Sequence, residues 1–267
     1  MSTLCEAPIG VLDSGLGGLS VMKALRARLP HEDFLYCADC GNAPWGDRSP
    51  QWVMKRCDAI ADFLSAVHGV KALVLACNTA TAAAADHLRG WLSIPVIGIE
   101  PAVKPAAQLS RARRIGVLAT AGTIASPRYR RLVENFAQGV EVVSVGAPGL
   151  MECVERGEFD APATRELAAR FVRPMIEKGV DTLVLGCTHY PFLAPLLSNL
   201  MGAHVTIIEP GAAVAAVVQT RLRTANTLKA AGRGRELFYV RGSAQHAEVL
   251  TRLWPAASRE TILELPF

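Results

Sequence analysis

Two of the seven cysteines stand out by their setting. Residues 69–77 read GVKALVLAC and residues 179–187 read GVDTLVLGC, with six of nine positions identical. Cys77 and Cys187 close the two copies, 110 residues apart. A thiolate is a base as well as a nucleophile, and a thiol can act as an acid. Suppose two such groups face one carbon from opposite sides, one as thiolate and one as thiol. A proton then leaves one face, another arrives on the other, and the configuration inverts. That scheme needs no redox step, metal or organic cofactor, so none is expected. A single buried cysteine is more often an inert small hydrophobe. Two at equivalent positions of a repeat, each followed by polar residues, point to chemistry.

Those polar neighbours are Asn78, Thr79 and Thr81 after Cys77, and Thr188 and His189 after Cys187. Each group falls where a strand is expected to open into a helix N-terminus. Such a terminus offers free backbone N–H groups and a positive dipole end, both suited to a substrate carboxylate. Cationic neighbours also favour a thiolate. His189 is placed to supply that charge to Cys187, or to serve as its proton partner.

The elements that must position these residues follow from the pattern of apolar runs. Ile9 to Leu12 is a short buried strand entering the Gly-rich segment Asp13–Gly18. Leu19 to Leu29 and Val53 to Val67 carry helical periodicity, and Phe34 to Cys37 and Leu73 to Ala76 are strands. Strands alternating with helices predict an α/β fold with largely parallel sheets. The repeat extends beyond the cysteines. Ile9–Leu12 recurs at Ile115–Leu118, and Ile99-Glu100-Pro101 recurs at Ile208-Glu209-Pro210. Three pairs in one order at nearly one offset predict two similar lobes related by a pseudo-twofold axis. The first comprises residues 1–98 plus 210–267, and the second residues 99–209. Ligands bind beyond the carboxyl ends of strands in open parallel sheets. Both cysteines should therefore meet in the cleft between the lobes, with Glu100 and Glu209 bracing the junction.

Bulk properties exclude several classes. The formal net charge is +4, from 28 basic and 24 acidic residues, too little to argue for a nucleic-acid partner. The clusters Arg111/Arg113/Arg114 and Arg128/Arg130/Arg131 read as solvated faces. No apolar stretch is long enough to span a membrane. Met1 to Glu6 has no basic region before an apolar run, and the cysteines have no disulfide-framework spacing, so a cytoplasmic chain with reduced thiols is expected. Cys37 and Cys40 form a C-x-x-C without a second ligand pair, which is no zinc signature and reads as an accident. Cys5, Cys57 and Cys153 have no reactive neighbourhood. DSGLGG at 13–18 is neither a dinucleotide nor a phosphate-loop motif.

Several segments resemble the signatures of bacterial glutamate racemases, of the aspartate/glutamate racemase family. They are DSGLGG at Asp13–Gly18, ACNTA at 76–80 and GCTHYP at Gly186–Pro191. YCADCGNAPWGDRS at Tyr36–Ser49 resembles a further family segment, with Trp45 in place of its tyrosine. LMECVERG at Leu150–Gly157 is similar to the segment carrying a family glutamate, here Glu155. The resemblance covers nearly the whole chain. It implies interconversion of L- and D-glutamate and a supply of D-glutamate for peptidoglycan. It implies that Cys77 takes the α-proton of the D isomer and Cys187 that of the L isomer. Asp13 and His189 would assist the cysteines, with Glu155 near His189. Asp13, Ser14, Pro44, Trp45, Gly46, Asn78, Thr79, Thr188 and His189 would bind substrate. The oligomeric state stays open, a homodimer among the options.

Three other readings compete. An aspartate racemase or related cysteine isomerase would differ in substrate kinetics. A non-catalytic module that inhibits a topoisomerase would have no need of the cysteine pair. A periplasmic-type amino-acid binding protein would need a signal peptide.

Overall fold

Buried apolar runs form the central strands of both sheets, and helices cover their faces. The computed structural model describes residues 3–267. Strands β1 (Ile9–Asp13), β2 (Phe34–Ala38), β3 (Ala72–Leu75) and β4 (Val96–Gly98) form the first sheet. They are joined there by β9 (Glu236–Val240) and β10 (Ile262–Glu264) from the end of the chain. The order is β10-β9-β2-β1-β3-β4. The second sheet has β5 (Arg114–Ala119), β6 (Glu141–Gly146), β7 (Thr182–Gly186) and β8 (Thr206–Ile208) in the order β6-β5-β7-β8. All these pairings are parallel. The expected α/β fold with two parallel sheets is what the chain adopts.

Alternation along each strand sorts side chains between two faces. From β1, Ile9 and Val11 pack with helix Leu19–Arg28 and helix Gly211–Thr224. Leu12 points the other way, with Leu73 and Leu75, against helices Pro50–Asp62 and Asn78–Trp91. In the second sheet, Leu118, Leu183 and Leu185 face helix Pro162–Glu177 and helix Ala194–Met201. Ile115, Val117 and Val184 face helices Val103–Leu109 and Pro127–Phe136. Cys37 lies in β2 and Cys40 in the turn beyond it, and the two pack into different core clusters as free thiols.

Some local expectations change. The helix expected to end at Val67 is α-helical over Pro50–Asp62 and continues as a π-helix over Phe63–Val67. Cys77 does cap a helix, Asn78–Trp91, but Cys187 leads into a 3₁₀ turn, Tyr190–Leu193, before helix Ala194–Met201. The i→i+3 bonds from Tyr190 N–H to Cys187 O and from Phe192 N–H to His189 O tighten that segment. Arg128 does not lie on a solvated face. It donates to Glu100 Oε1 at 2.6 Å, tying down the first chain crossing. Glu209 at the second crossing is exposed. No helix among the described residues is long and apolar enough to cross a membrane.

The turn after β1 is anchored from β2. The buried Tyr36 hydroxyl donates to the Gly15 carbonyl at 2.7 Å. A buried carbonyl that loses its donor costs about 1–3 kcal/mol. Tyr36→Phe keeps the ring and removes only that bond, so unfolding stability should drop by about 1–3 kcal/mol. Urea denaturation measures it, and an unchanged midpoint would show that the turn holds without Tyr36.

Candidate active site

The carboxyl ends of β1, β3 and β7 converge on one cavity. From the first lobe, Ser14, Pro44, Trp45, Gly46, Cys77, Asn78 and Thr79 line it. From the second, Cys187, Thr188 and His189 line it, together with Thr120 and the turn Ala147–Pro148. Both cysteines therefore face one space. Asp13 and Glu155 lie behind this wall, both buried.

Cys77 sits where β3 gives way to helix Asn78–Trp91. Its sulfur accepts the Ala80 N–H at 3.5 Å, and its thiol donates to Ser14 Oγ at 3.6 Å. Burial, reinforced by the Asp13 charge, pushes the Cys77 thiol up to about 12. Asp13 ends β1. Its Oδ2 accepts the Gly18 N–H at 2.8 Å and the Gly15 N–H at 3.3 Å, and the Thr188 hydroxyl donates to Oδ1 at 3.4 Å. Burial raises its carboxyl from 3.8 to about 6, with His189 and the Gly18 N–H pulling in the opposite direction.

The second half is built differently. Cys187 Sγ lies 3.6 Å from His189 Nδ1, and Nε2 on the far side of that ring lies 2.6 Å from Glu155 Oε1. Burial alone would push the imidazole down. The Cys187 sulfur and the Glu155 carboxylate outweigh it and hold the His189 pKa well above its usual value. Burial would likewise raise Glu155. Its bond to His189 and the Leu16 N–H, which donates to Oε1 at 2.6 Å, hold it below the usual carboxylate range. The Gly17 N–H also points at Nε2, at 3.2 Å, and donates to it only when that nitrogen carries no proton.

This arrangement explains two glycines of the DSGLGG segment. A Cβ on Gly15 would lie 2.3 Å from Glu155 Oε1, and one on Gly17 would lie 2.2 Å from His189 Nδ1. The first-lobe turn is bare so that the second-lobe pair can rest on it. The lobes also meet at Thr79 and Thr120, whose hydroxyls are 3.2 Å apart. Gly46 and Gly122 touch so closely that a Cβ on Gly122 would lie 2.5 Å from Gly46 O.

Two cavity residues keep polar atoms free of protein partners. Both side-chain amide atoms of Asn78 and the indole Nε1 of Trp45 are buried without a hydrogen bond. Trp45 is packed edge-on to Trp52, with ring centroids 6.0 Å apart.

Thr120 and the Ala147–Pro148 turn were not expected from the sequence. Thr120 was within reach, because the repeat that aligns Ile9–Leu12 with Ile115–Leu118 also aligns Ser14 with Thr120. The same alignment puts Ala119 opposite Asp13. Along the cysteine repeat, Thr79 falls opposite His189.

The comparisons agree with this geometry. The Asp/Glu/Hydantoin racemase family pattern matches residues 9–218. A glutamate racemase of Pseudomonas syringae pv. tomato is 49% identical over 236 residues, covering 88% of this chain and 85% of its own. Glutamate racemase isoform RacE1 from Bacillus anthracis superposes with a TM-score of 0.88 at 33% identity, covering 98% of each chain. The Escherichia coli glutamate racemase, solved with L-glutamate and the activator UDP-MurNAc-ala, superposes with a TM-score of 0.87. It is 30% identical and covers 97% of this chain and 98% of its own. With a family match across most of its length, and a two-lobed fold shared with these enzymes, this chain belongs to the Asp/Glu/Hydantoin racemase family and is an amino-acid racemase.

Proposed function

We propose that the chain is a glutamate racemase that interconverts L- and D-glutamate without a cofactor. It would work in the cytoplasm and supply D-glutamate for peptidoglycan. Its lobes would be residues 1–98 plus 210–267 and residues 99–209. The observation that carries the reading is a pair of cysteines, at equivalent strand ends of a duplication, lining one cavity. Glutamate-bound relatives support the substrate.

In this reading the substrate Cα lies between the two sulfurs. Cys187 as thiolate removes the α-proton of L-glutamate, and Cys77 as thiol delivers a proton to the opposite face. The reverse direction exchanges the roles. His189 Nδ1, 3.6 Å from the Cys187 sulfur, can give or take the proton that Cys187 must shed or regain. Asp13 and Glu155 do not line the cavity, so they act as positioning residues. Glu155 holds the His189 ring and its charge, and Asp13 sets the environment of Cys77. Asn78, Thr79 and Thr188, with the N-terminus of helix Asn78–Trp91, supply the donors for the substrate carboxylate. Trp45 offers its indole N–H, and the bare Gly46 lets Thr120 pack against it.

Each single variant, Cys77→Ala and Cys187→Ala, should lose about 10²–10⁴-fold in racemisation, the usual loss for an acid or base. In D₂O, D-glutamate formed from L-glutamate should carry deuterium at Cα while the remaining L-glutamate stays unlabelled early on. A thiol holds one proton, so fast labelling of unconverted substrate would point to one base serving both faces. Wild-type preference for aspartate over glutamate would reject the substrate assignment.

The Asp13 carboxyl makes the pH profile specific. The two substrates are mirror images, so the equilibrium constant is one. The two kcat/KM values must then match at every pH. As pH falls through about 6, Asp13 takes up a proton and loses the charge that faces Cys77. Both kcat/KM values should fall together below that pH, since this parameter reports groups of the free enzyme. Asp13→Asn should lack this acid limb and lie well below wild type at neutral pH. A limb that survives in Asp13→Asn would belong to another group.

Gly17→Ala tests the contact between lobes. The added methyl must displace His189, and a shift of about 1 Å at a catalytic group can cost about 10²-fold. Circular dichroism should stay native while kcat/KM falls to that extent. Full activity would mean that His189 does not need this seat.

A further inference from the structure

A thiol, a carboxylate and an imidazole meet behind the His189–Glu155 pair. Cys40 begins the 3₁₀ turn Cys40–Asn42 after β2 and is buried. His246 lies in the first turn of helix Ala244–Leu253 and is partly exposed. Glu155 reaches in from the second lobe. One ligand atom from each of these three residues lies within 4.8 Å of the others. Glu155 spends Oε1 on His189 and Leu16, and its buried Oε2 has no N–H or O–H donor, which leaves the Cys40 thiol as the remaining donor to this carboxylate. His246 Nε2 stands 3.7 Å from that oxygen, too far for a hydrogen bond.

We propose that Cys40, Glu155 and His246 form a binding site for a thiophilic divalent cation of the zinc class. Soft thiolate, imidazole and carboxylate are the donor types this ion takes, in tetrahedral geometry with bonds of about 2.0–2.3 Å. Such bonds place donors about 3.3–3.8 Å apart, which spans the separation already present between His246 and Glu155. Water takes the fourth position, reached past the exposed side of His246. On binding, the Cys40 S–H bond breaks, the sulfur–metal bond forms, and the proton leaves to solvent. His246 ligates through Nε2 with its ring proton on Nδ1. In the metal-free protein Nδ1 instead accepts the Ser243 N–H at 3.0 Å, so binding moves the ring proton from Nε2 to Nδ1, gives up that capping bond, and turns Nδ1–H to Ser243 Oγ, also 3.0 Å away.

Occupancy draws the Glu155 charge toward the metal and away from His189, so turnover falls. That consequence rests on the acid–base reading above, whereas metal binding does not, and the two are measured separately.

The test is a Co²⁺ titration of the whole protein, followed by thiolate-to-metal charge-transfer absorption. One equivalent should bind with a thiolate band. Cys40→Ser should abolish the band, and His246→Gln should weaken binding by at least about tenfold. The Cys77→Ser/Cys187→Ser double variant should keep it. No band in wild type, or a band that survives Cys40→Ser and vanishes in the double variant, would overturn the site. In a second measurement, Zn²⁺ should slow the wild type by about tenfold or more, reversibly with chelator. Cys40→Ser, normalised to its own metal-free rate, should be spared. A wild-type rate unchanged with the site filled would overturn the effect on turnover while leaving the binding result intact.

Discussion

The pair formed by His189 and Glu155 ties the two lobes to each other through the same atoms that shape the site. Both residues belong to the second half of the chain, yet the carboxylate is received by the Leu16 N–H of the first. Taking two charges out of water costs several kcal/mol per ion unless geometry and further hydrogen bonds offset it. Here the offset is a 2.6 Å ion pair, a 2.6 Å backbone bond to the same carboxylate oxygen, and the Cys187 sulfur on the other side of the ring. The requirement propagates outward. The receiving turn must be bare, hence Gly15 and Gly17. It must be held still, hence the Tyr36 hydroxyl on Gly15 and the Asp13 carboxylate on the amides of Gly15 and Gly18.

A duplicated scaffold brings two thiols to one cavity, but its two halves have diverged where they touch those thiols. The first half keeps Asp13 at the end of β1, and the second has Ala119 there. The second half keeps His189 two residues beyond its cysteine, and the first has Thr79. One sulfur thus stands before a carboxylate that burial pushes toward neutrality, and the other before an imidazole held positive. A reaction between mirror images demands no chemical symmetry of the enzyme. It demands only that a proton can be taken on either side, and two unlike partners can each manage one side.

Much of this was legible in the sequence, for identifiable reasons. β1, β3, β5 and β7 are continuous apolar runs because both faces of a parallel strand are covered, and that leaves a plain signal. The repeat of those runs carried the two-sheet architecture and the convergence of Cys77 and Cys187 on one cavity. Other features left no local trace. Nothing near Glu155 says that it crosses to Leu16, because that contact spans 139 residues and is set by how the lobes dock. Arg128 looked like surface charge, since its partner Glu100 is 28 residues away. The turn after Cys187 was expected to be a helix because the two repeats were treated as equal, and they are not equal past the cysteine. Thr120 could have been read from the repeat, and was hidden only because a threonine at a strand end also makes an ordinary helix cap, as it does for Thr123.

The atoms without partners show how the molecule divides its polar groups. Most buried polar groups near the cleft are fully engaged. The Asp13 carboxylate takes backbone and hydroxyl donors, and the Ser20 hydroxyl reaches across to the Thr188 carbonyl at 2.8 Å. Against that background, the Asn78 amide and the Trp45 indole stand out as buried and unpaired on the cavity wall, and Glu155 Oε2 stands out on the opposite side. An unpaired buried donor or acceptor costs about 1–3 kcal/mol. On a cavity wall, a bound partner can recover that cost. The unpaired atoms on the cavity wall fit a small polar substrate. The unpaired carboxylate oxygen beyond it faces a thiol and an imidazole, which is a different chemistry and a different kind of partner.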